Sequence, residues 1–521
     1  MALLAPVLDP PRRNTATPES HPFPDVNLLD RLLAEQHGLQ TPVANFARDH
    51  SLHLLPPRTD LYRHLIPLEK PGLDEQYAFQ VELDKCTSCK ACVTACHSLN
   101  GLDESESWRD IGLLTGGHDD PAWKQTVTSA CHHCANPECL NGCPVAAYEK
   151  DAETGIVRHL DDQCIGCEYC VLKCPYDVPK YNEMRGIVRK CDMCHQRLAV
   201  GEAPACVQAC PNEAIQIIKV DVPTLRRERA RGAGFLIGAP SPALTLPTTQ
   251  YLGRDAPATA HPAGRDELHP EPAHHPLIAM LVLTQAGVGI FSAGLLSGHA
   301  YLLFLGAISF LAGMMASISH LGRPLGAWRF FLGLRTSWLS REILVFSLVP
   351  PLFALAFLAP GTAWATTIFT GAGSLAVFTS VMVYHDTGRP FWHWSRTALR
   401  FFGTTLLSAL IAFAFTHSIP STLAALALAS KLLLELATLL PLRKPDWSPA
   451  RHTARLQTGP LRTTFFLRMG LGVGAVALLP SWPLAALALF LFGETLERRL
   501  FFQSVYAPRM TGMQGAPASP H

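Results

Sequence analysis

Hydrophobic and polar positions divide this chain in two. From residue 276 to about 505 the sequence runs through eight apolar stretches, near 277–297, 301–319, 342–359, 365–385, 400–417, 421–441, 465–480 and 483–501. A helix needs roughly 20 apolar residues to cross the hydrocarbon core, so each stretch is expected as a membrane-spanning helix, the third and seventh near the lower limit. Pro350 and Pro351 fall inside the third and should kink it, which neighbouring helices can tolerate. Before residue 276 the pattern is that of a soluble module. Residues 76–220 contain every cysteine. Residues 1–75 form an N-terminal extension that opens on a proline-rich, polar segment of disordered composition. Within it Asp25 is expected to cap a short amphipathic helix with Leu28, Leu29, Leu32 and Leu33 on one face and Gly38 as its stop. That stripe either docks on its own domain or serves as a docking helix for a partner. Arg12-Arg13 is followed by no apolar run, so a twin-arginine signal is not expected. Residues 221–275, with Arg226, Arg227, Arg229 and Arg231 and then proline-, alanine- and threonine-rich sequence, read as a linker. Residues 506–521 read as a tail.

Charge changes this picture in one respect. The net charge of +1 averages over two unlike halves and says little. The loops between the apolar stretches are asymmetric. Those near 298–300, 360–364, 418–420 and 480–483 carry no Lys or Arg. The opposite side carries Arg323, Arg329, Arg335, Arg341, Arg389, Arg396, Arg400, Arg443, Lys444, Arg451, Arg455, Arg462, Arg498, Arg499 and Arg509. The positive-inside rule then places these loops, both termini and the cysteine module on the cytoplasmic side of the inner membrane. A reducing compartment suits free thiols.

The cysteines supply the chemistry. All sixteen lie between Cys86 and Cys210, in four sets of four. The sets are Cys86, Cys89, Cys92, Cys96; Cys131, Cys134, Cys139, Cys143; Cys164, Cys167, Cys170, Cys174; and Cys191, Cys194, Cys206, Cys210, the last three sets ending in Cys-Pro. The C-x2-C-x2-C-x3-C run is the bacterial ferredoxin signature, in which the fourth cysteine reaches the neighbouring cluster. Sixteen thiolates match four [4Fe-4S] clusters without remainder, and the fold expected is an α+β ferredoxin-like module of paired motifs followed by an all-α membrane bundle. Spacing leaves open which motifs pair. A disulfide framework belongs to small secreted domains, and a zinc ribbon has no place for the third cysteine of such a run. Cys191-Asp-Met-Cys194-His195 matches a haem attachment pattern, but using it would strip two ligands from a set that otherwise closes. No Gly-rich nucleotide fingerprint is evident, and nothing points to a nucleic-acid partner.

Ionisable groups at the membrane are functional candidates. His320 ends the second apolar stretch and Glu342 opens the third, both on the basic side. A quinol bound there needs a hydrogen-bond partner and a base, which His supplies near neutrality; a carboxylate can take protons out. The alternative for His320 is an interfacial residue reaching the headgroups. Lys431 and Glu435 in the sixth stretch are spaced i, i+4 and are expected to pair on one helix face, either as a neutralising pair or as part of a proton path. Gln285 in the first stretch is a weaker polar candidate, for helix–helix contact or ligand contact.

With the cysteine sets and the stretch HLGRPLGAW in hand, the chain resembles two subunits of the dimethyl sulfoxide reductase family of molybdoenzymes joined in one polypeptide. Residues 80–220 resemble the four-cluster iron–sulfur subunit, and residues 276–505 resemble the eight-span membrane anchor, through Ser340-Arg341-Glu342 and GETLERRLFF at 493–502 as well. The resemblance implies that Cys86, Cys89, Cys92 and Cys210 hold one cluster, and Cys96, Cys191, Cys194 and Cys206 a second. It implies Cys131, Cys134, Cys139 and Cys174 for a third, and Cys143, Cys164, Cys167 and Cys170 for the fourth. It matches His320 and Glu342 to the family's menaquinol site. It implies electron transfer between menaquinol or menaquinone and a molybdopterin-containing catalytic subunit on another chain, with no site here for the terminal substrate. Fusion departs from the family pattern, and the inferred topology keeps the module inside the cell. A redox-driven proton-translocating complex, with Lys431 and Glu435 on the proton path, is the alternative.

Overall fold

The computed structural model describes residues 61–510, except 105, 117–122, 254, 359–361 and 416–419, together with residues 45, 48 and 52. The helix expected between Asp25 and Gly38 lies outside the described residues. The chain divides into Met1–Thr59 and Asp60–His521, and the second unit carries everything below.

The soluble module is closed by its own ends. Strand β1 (Glu75–Glu82) pairs antiparallel with β8 (Ile215–Asp221), in register from Glu75 opposite Asp221 to Val81 opposite Ile215. This pairing carries the first and last cysteine sets to the same end of the module. Between them lie a hairpin of β2 (Asp110–Gly116) and β3 (Trp123–Ser129) and two short hairpins, β4 (Tyr148–Lys150) with β5 (Val157–His159) and β6 (Lys180–Asn182) with β7 (Ile187–Arg189). Short helices follow the cysteine loops: α1 (Ala91–Asn100), α2 (Glu138–Asn141), α3 (Tyr169–Lys173), α4 (His195–Ala199) and α5 (Ala205–Gln208).

Residues 221–275 are not a free tether. They form helix α6 (Val222–Ala230), capped by the Asp221 side chain on Thr224 N, and two further strands. Strand β9 (Gln250–Leu252) adds to β1 in parallel, and β10 (His261–Pro262) adds to β2. Arg229 is buried, donating from Nε to Pro247 O and from Nη2 to Thr249 O. Both sheets would otherwise end on open edges. Residues as proline- and threonine-rich as these serve as edge strands because such strands pair on one side only.

Each of the eight apolar stretches coincides with a helix. These are α7 (His275–Ser297), α8 (Ala300–Ser319), α9 (Trp338–Leu358), α10 (Ala363–His385), α11 (Trp394–Ala414), α12 (Pro420–Leu436), α14 (Arg462–Leu478) and α15 (Pro483–Gln503). An additional helix, α13 (Pro449–Thr458), precedes α14 and meets it at 79°. Helix α9 runs through Pro350 and Pro351 without ending. Among the described residues, six helices are long and apolar enough to cross a membrane, or seven if the bent α13–α14 pair is one span. The expected eighth, α15, has the length but carries Glu494, Glu497, Arg498 and Arg499 in its second half. Helix α7 is the centre of the bundle, 83% of its apolar window being buried. Its small residues admit neighbouring backbones: a Cβ on Gly289 would lie 2.2 Å from Thr405 O of α11, and one on Gly287 2.7 Å from Phe310 N of α8.

Module and bundle meet along a seam made largely of backbone. Arg323 N donates to Ile165 O at 3.0 Å, Gly333 N to Pro144 O at 3.0 Å, and Ser337 Oγ to Gly142 O at 2.7 Å. Three glycines touch: a Cβ on Gly322 would sit 2.3 Å from Gly186 O, and one on Gly166 2.4 Å from the same oxygen. Gly166 and Gly186 also need their positive φ of 67° and 64°. The seam thus joins the third cysteine loop directly to the HLGRP stretch.

Candidate functional site

All four cysteine sets share one local backbone form. The residue before the second cysteine of each C-x-x-C has positive φ: Ser88, His133, Gly166 and Met193. The third residue after the cysteine of each Cys-Pro pair does too: Ala146, Asp177 and Glu213. Such turns aim backbone N–H groups inward. Ala147 N donates to Cys143 Sγ and Ala214 N to Cys210 Sγ, both at 3.2 Å, while Gly166 N and Met193 N donate to Cys164 and Cys191 Sγ at 3.4 Å. Donors to sulfur favour the thiolate and set the potential of any cluster it holds.

All sixteen cysteines are free thiols. Cys86, Cys89, Cys92 and Cys210 line one small cavity, and Cys131, Cys134, Cys139 and Cys174 line another. Cys143, Cys164, Cys167 and Cys170 lie within electrostatic reach of one another, as do Cys96, Cys191, Cys194 and Cys206. The fold therefore brings the first set to the fourth and the second to the third. Among the described residues no three His, Cys, Asp or Glu side chains converge closely enough to hold a single metal ion. A cube of four irons takes its thiolates at greater separation than one ion does, and two of these groups of four thiols each line a shared cavity, as such a cube requires. Burial pushes the protonated thiols up, Cys96 to about 12 and Cys174 and Cys194 to about 11, so a bound cation would displace protons that water alone does not remove.

Two buried cations that sequence reasoning missed stand among these thiols. Lys190 donates from Nζ to Cys191 O at 2.8 Å and to Val157 O, with Cys131 Sγ at 3.6 Å. Burial works against its charge, but the Cys131, Cys139 and Cys191 sulfurs outweigh it and raise its pKa. Arg109 is likewise held charged against burial by Cys206, Cys92, Cys191 and Cys96, and lies 4.7 Å over the Phe79 ring. For Lys190 the signal was a lysine abutting a cysteine; for Arg109 there was none in spacing.

The second site is a cavity of about 320 Å3 where the third cysteine loop roofs the bundle. That volume suits a small organic ligand, and most of its lining is apolar. Its polar lining includes His320, Glu342, Ser317, Ser347, Tyr169 and Tyr384, and the Cys167 loop forms one wall. His320 and Glu342, the two candidates named from the sequence, both line this cavity. His320 Nε2 contacts Cys167 O at 3.1 Å. A carbonyl can only accept, so Nε2 carries the hydrogen and Nδ1 is left as an acceptor. Burial lowers the His320 pKa, which favours the neutral ring with Nδ1 unprotonated and free to accept. Ser380 Oγ donates to Glu342 Oε1 at 2.5 Å.

Lys431 and Glu435 face the bundle interior, but each finds its partner on another helix. Lys431 pairs with Glu494 of α15, and Glu435 accepts two hydrogen bonds from Arg468 of α14 at 3.0 and 2.8 Å. Arg468 also binds Glu494 at 2.7 Å. Spacing at i, i+4 puts two residues on one helix face, but partners on facing helices can satisfy more of their lone pairs and protons, which burial demands. Gln285 joins the same assembly, accepting from Arg498 Nη2 at 2.8 Å. Arg400 and Arg498 are buried here as well, Arg400 3.3 Å from Glu497, so neither counts as a loop charge.

Residues 123–220 match the family described as a 4Fe-4S dicluster domain, and residues 273–442 match the DMSO reductase anchor subunit (DmsC). A component of the anaerobic dimethyl sulfoxide reductase of Haemophilus influenzae is 38% identical over 156 residues, covering 28% of this chain and 76% of that protein. The component of the same name from Escherichia coli K12 is 40% identical over 154 residues, covering 28% and 75%. The thiosulfate reductase electron transfer subunit PhsB of Salmonella typhi is 36% identical over 158 residues, covering 30% and 82%. Matched over three quarters of these relatives and again in the helices that follow, the chain belongs to the dimethyl sulfoxide reductase family, as an iron–sulfur electron-transfer subunit and its membrane anchor fused in one polypeptide.

Proposed function

We propose that this chain oxidises menaquinol at the His320 cavity and delivers the electrons, through four [4Fe-4S] clusters, to a separate molybdopterin-containing catalytic subunit. The observation that carries this reading is the 3.1 Å contact from His320 to the carbonyl of Cys167, which puts a neutral base and a cluster-ligand loop on one wall of one apolar cavity. The clusters would be held by Cys86, Cys89, Cys92 and Cys210; by Cys96, Cys191, Cys194 and Cys206; by Cys131, Cys134, Cys139 and Cys174; and by Cys143, Cys164, Cys167 and Cys170. When bound they supply single-electron steps between quinol and partner. The chain's own residues do the rest. His320 Nδ1 accepts a quinol hydroxyl proton, and Glu342 takes the second. The apolar lining excludes water from the ring. Arg109 and Lys190 offset negative charge among the thiolates, favouring the reduced state.

In this reading the bundle is an eight-helix anchor with α15 and the bent pair completing it, and the basic loops and the module face the cytoplasm. The test is reduction of the clusters by menadiol in the full chain. His320→Ala should retain its iron and its reduction by dithionite but lose reduction by menadiol. Wild-type menadiol kinetics in that variant would remove the assignment. The same wire run backwards, a partner's electrons reducing menaquinone, would need the same residues. The buried Lys431–Glu494–Arg468–Glu435 assembly motivates a second reading, proton translocation through the bundle. It predicts that neutralising Lys431 and Glu435 together abolishes proton uptake while sparing menadiol oxidation.

A further inference from the structure

The His320 cavity has a second polar wall beyond the one that touches Cys167. Two residues along the same loop, Tyr169 lines the cavity beside Glu342, close enough that the Glu342 carboxylate acts on its hydroxyl. The Tyr169 ring is buried, and its O–H has two acceptors: Val383 O at 3.0 Å, in the cavity wall, and Asp386 Oδ2 at 3.2 Å, outside it. Asp386 caps the end of α10 and is about a quarter exposed, at 27% of its side chain. Lys173, at the far end of the one-turn helix α3, is buried and binds Asp386 through Oδ2 at 2.9 Å and through O at 2.8 Å. It also pairs with Glu138, itself 22% exposed. Polar groups thus run without interruption from the cavity to the surface, along a seam that is otherwise backbone.

Resting on the quinol reading above, we infer that protons released in the cavity leave through Tyr169 and Asp386, while the electrons leave through the Cys167 loop. Menaquinol loses two O–H protons and two electrons, and becomes menaquinone. The iron–sulfur module is the oxidant and takes the electrons one at a time. The proton taken by Glu342 passes, across a water in the cavity, to the Tyr169 oxygen, as the Tyr169 O–H proton moves to Asp386 Oδ2; the proton taken by His320 Nδ1 then crosses the same cavity water to the emptied Glu342 and follows it. A hydroxyl can do this because it donates once and accepts twice. Asp386 then releases the proton to bulk water, and Lys173 keeps the carboxylate aimed for the next transfer. Proton and electron part company within three residues of chain, Cys167 to Tyr169.

The experiment is menadiol-driven cluster reduction in full-length Tyr169→Phe and Asp386→Asn, in lipid nanodiscs, followed by stopped flow. Both variants should slow reduction by about tenfold or more, the low end of what a positioned proton acceptor contributes. The menadiol KM should hold and the solvent deuterium isotope effect should rise. Added imidazole, a diffusible proton carrier, should restore Asp386→Asn in part. Dithionite bypasses the cavity and should reduce both variants at the wild-type rate. Wild-type menadiol rates in both variants would overturn the route. So would slowing that dithionite shares and imidazole does not relieve, which marks a merely structural seam. His320→Ala, run alongside, separates the failures: if it too is at wild-type rate, the quinol site is wrong, and if it alone is slow, only the exit route is.

Discussion

Two cavities with ionisable groups in their walls sit at the same end of the bundle, and they differ in how those groups are satisfied. The 320 Å3 cavity under the cysteine loop is lined by His320, bonded to a carbonyl, and Glu342, bonded to a serine hydroxyl. Among the described residues neither has an opposite charge to hold it. The other, about 250 Å3, lies between α11, α12 and α13 and is lined by Arg400, Lys431 and Glu435. There each of the three is paired: Arg400 with Glu497, Lys431 with Glu494, Glu435 with Arg468. A group bonded only to neutral partners can gain or lose a proton at modest cost. A group whose whole ion network is buried cannot, because its partner would be left as an uncompensated charge; Asp386 differs, being partly exposed and sharing Lys173 with Glu138. On the quinol reading, proton chemistry belongs to the first cavity and rigidity to the second.

The most damaging way to probe this difference is Arg468→Ala. It strands the buried Glu435 and takes one of two cations from Glu494, which keeps Lys431, and should cost about 3–5 kcal/mol of stability, read as loss of folded protein in detergent unfolding. His320→Ala should change that unfolding by under about 1 kcal/mol, the ordinary effect of losing one net hydrogen bond. Reversal of the two effects would break the comparison. Gly322→Ala comes next. Its Cβ would meet Gly186 backbone rather than a flexible side chain, so the seam must open, at about 1–3 kcal/mol for an overpacked contact. Menadiol-driven reduction should fall while dithionite reduction persists. Lys431→Met with Glu494→Gln removes a buried pair while Arg468 keeps Glu435, and should leave menadiol oxidation within about twofold, since replacing buried ion pairs is often neutral. Loss of proton uptake in that variant with oxidation intact would instead favour translocation. The smallest effect is in pH. The His320 pKa is lowered on folding, so its contribution to stability is complete above the unfolded value of about 6.5 and is lost as pH falls through the folded value. Mild acid should therefore weaken the wild type, by at most about 1.4 kcal/mol per pH unit, and His320→Gln should flatten that slope.

Local signals were readable and cross-chain ones were not. The apolar stretches located their helices to within a few residues, because span length is set by the bilayer and not by neighbours. The cysteine spacing located the loops, since ligand geometry constrains only a few residues at a time. The fusion and the likeness to an iron–sulfur subunit were legible in the same motifs. What failed depended on residues far apart. Lys431 and Glu435 suggested each other by spacing, yet their partners Glu494 and Arg468 come from two later helices. Residues 221–275 read as a tether by composition, yet they close two sheet edges formed by strands more than a hundred residues earlier. Tyr169, Lys173 and Asp386 carry no motif, and only the docking of module on bundle sets them side by side.

That folded connection has a consequence in terms of mass action. Strand β10 ends at Pro262 and the first membrane helix begins at His275, leaving a span of chain too short for the module to wander. Where an electron-transfer subunit and its anchor are separate polypeptides, their meeting depends on how much of each is present, and dilution in an expanding bilayer parts them. Here the two faces of the seam are held at a fixed local concentration that no change in expression or lipid content alters. Every anchor carries one module, and the backbone seam around Gly322 is never left waiting for a partner.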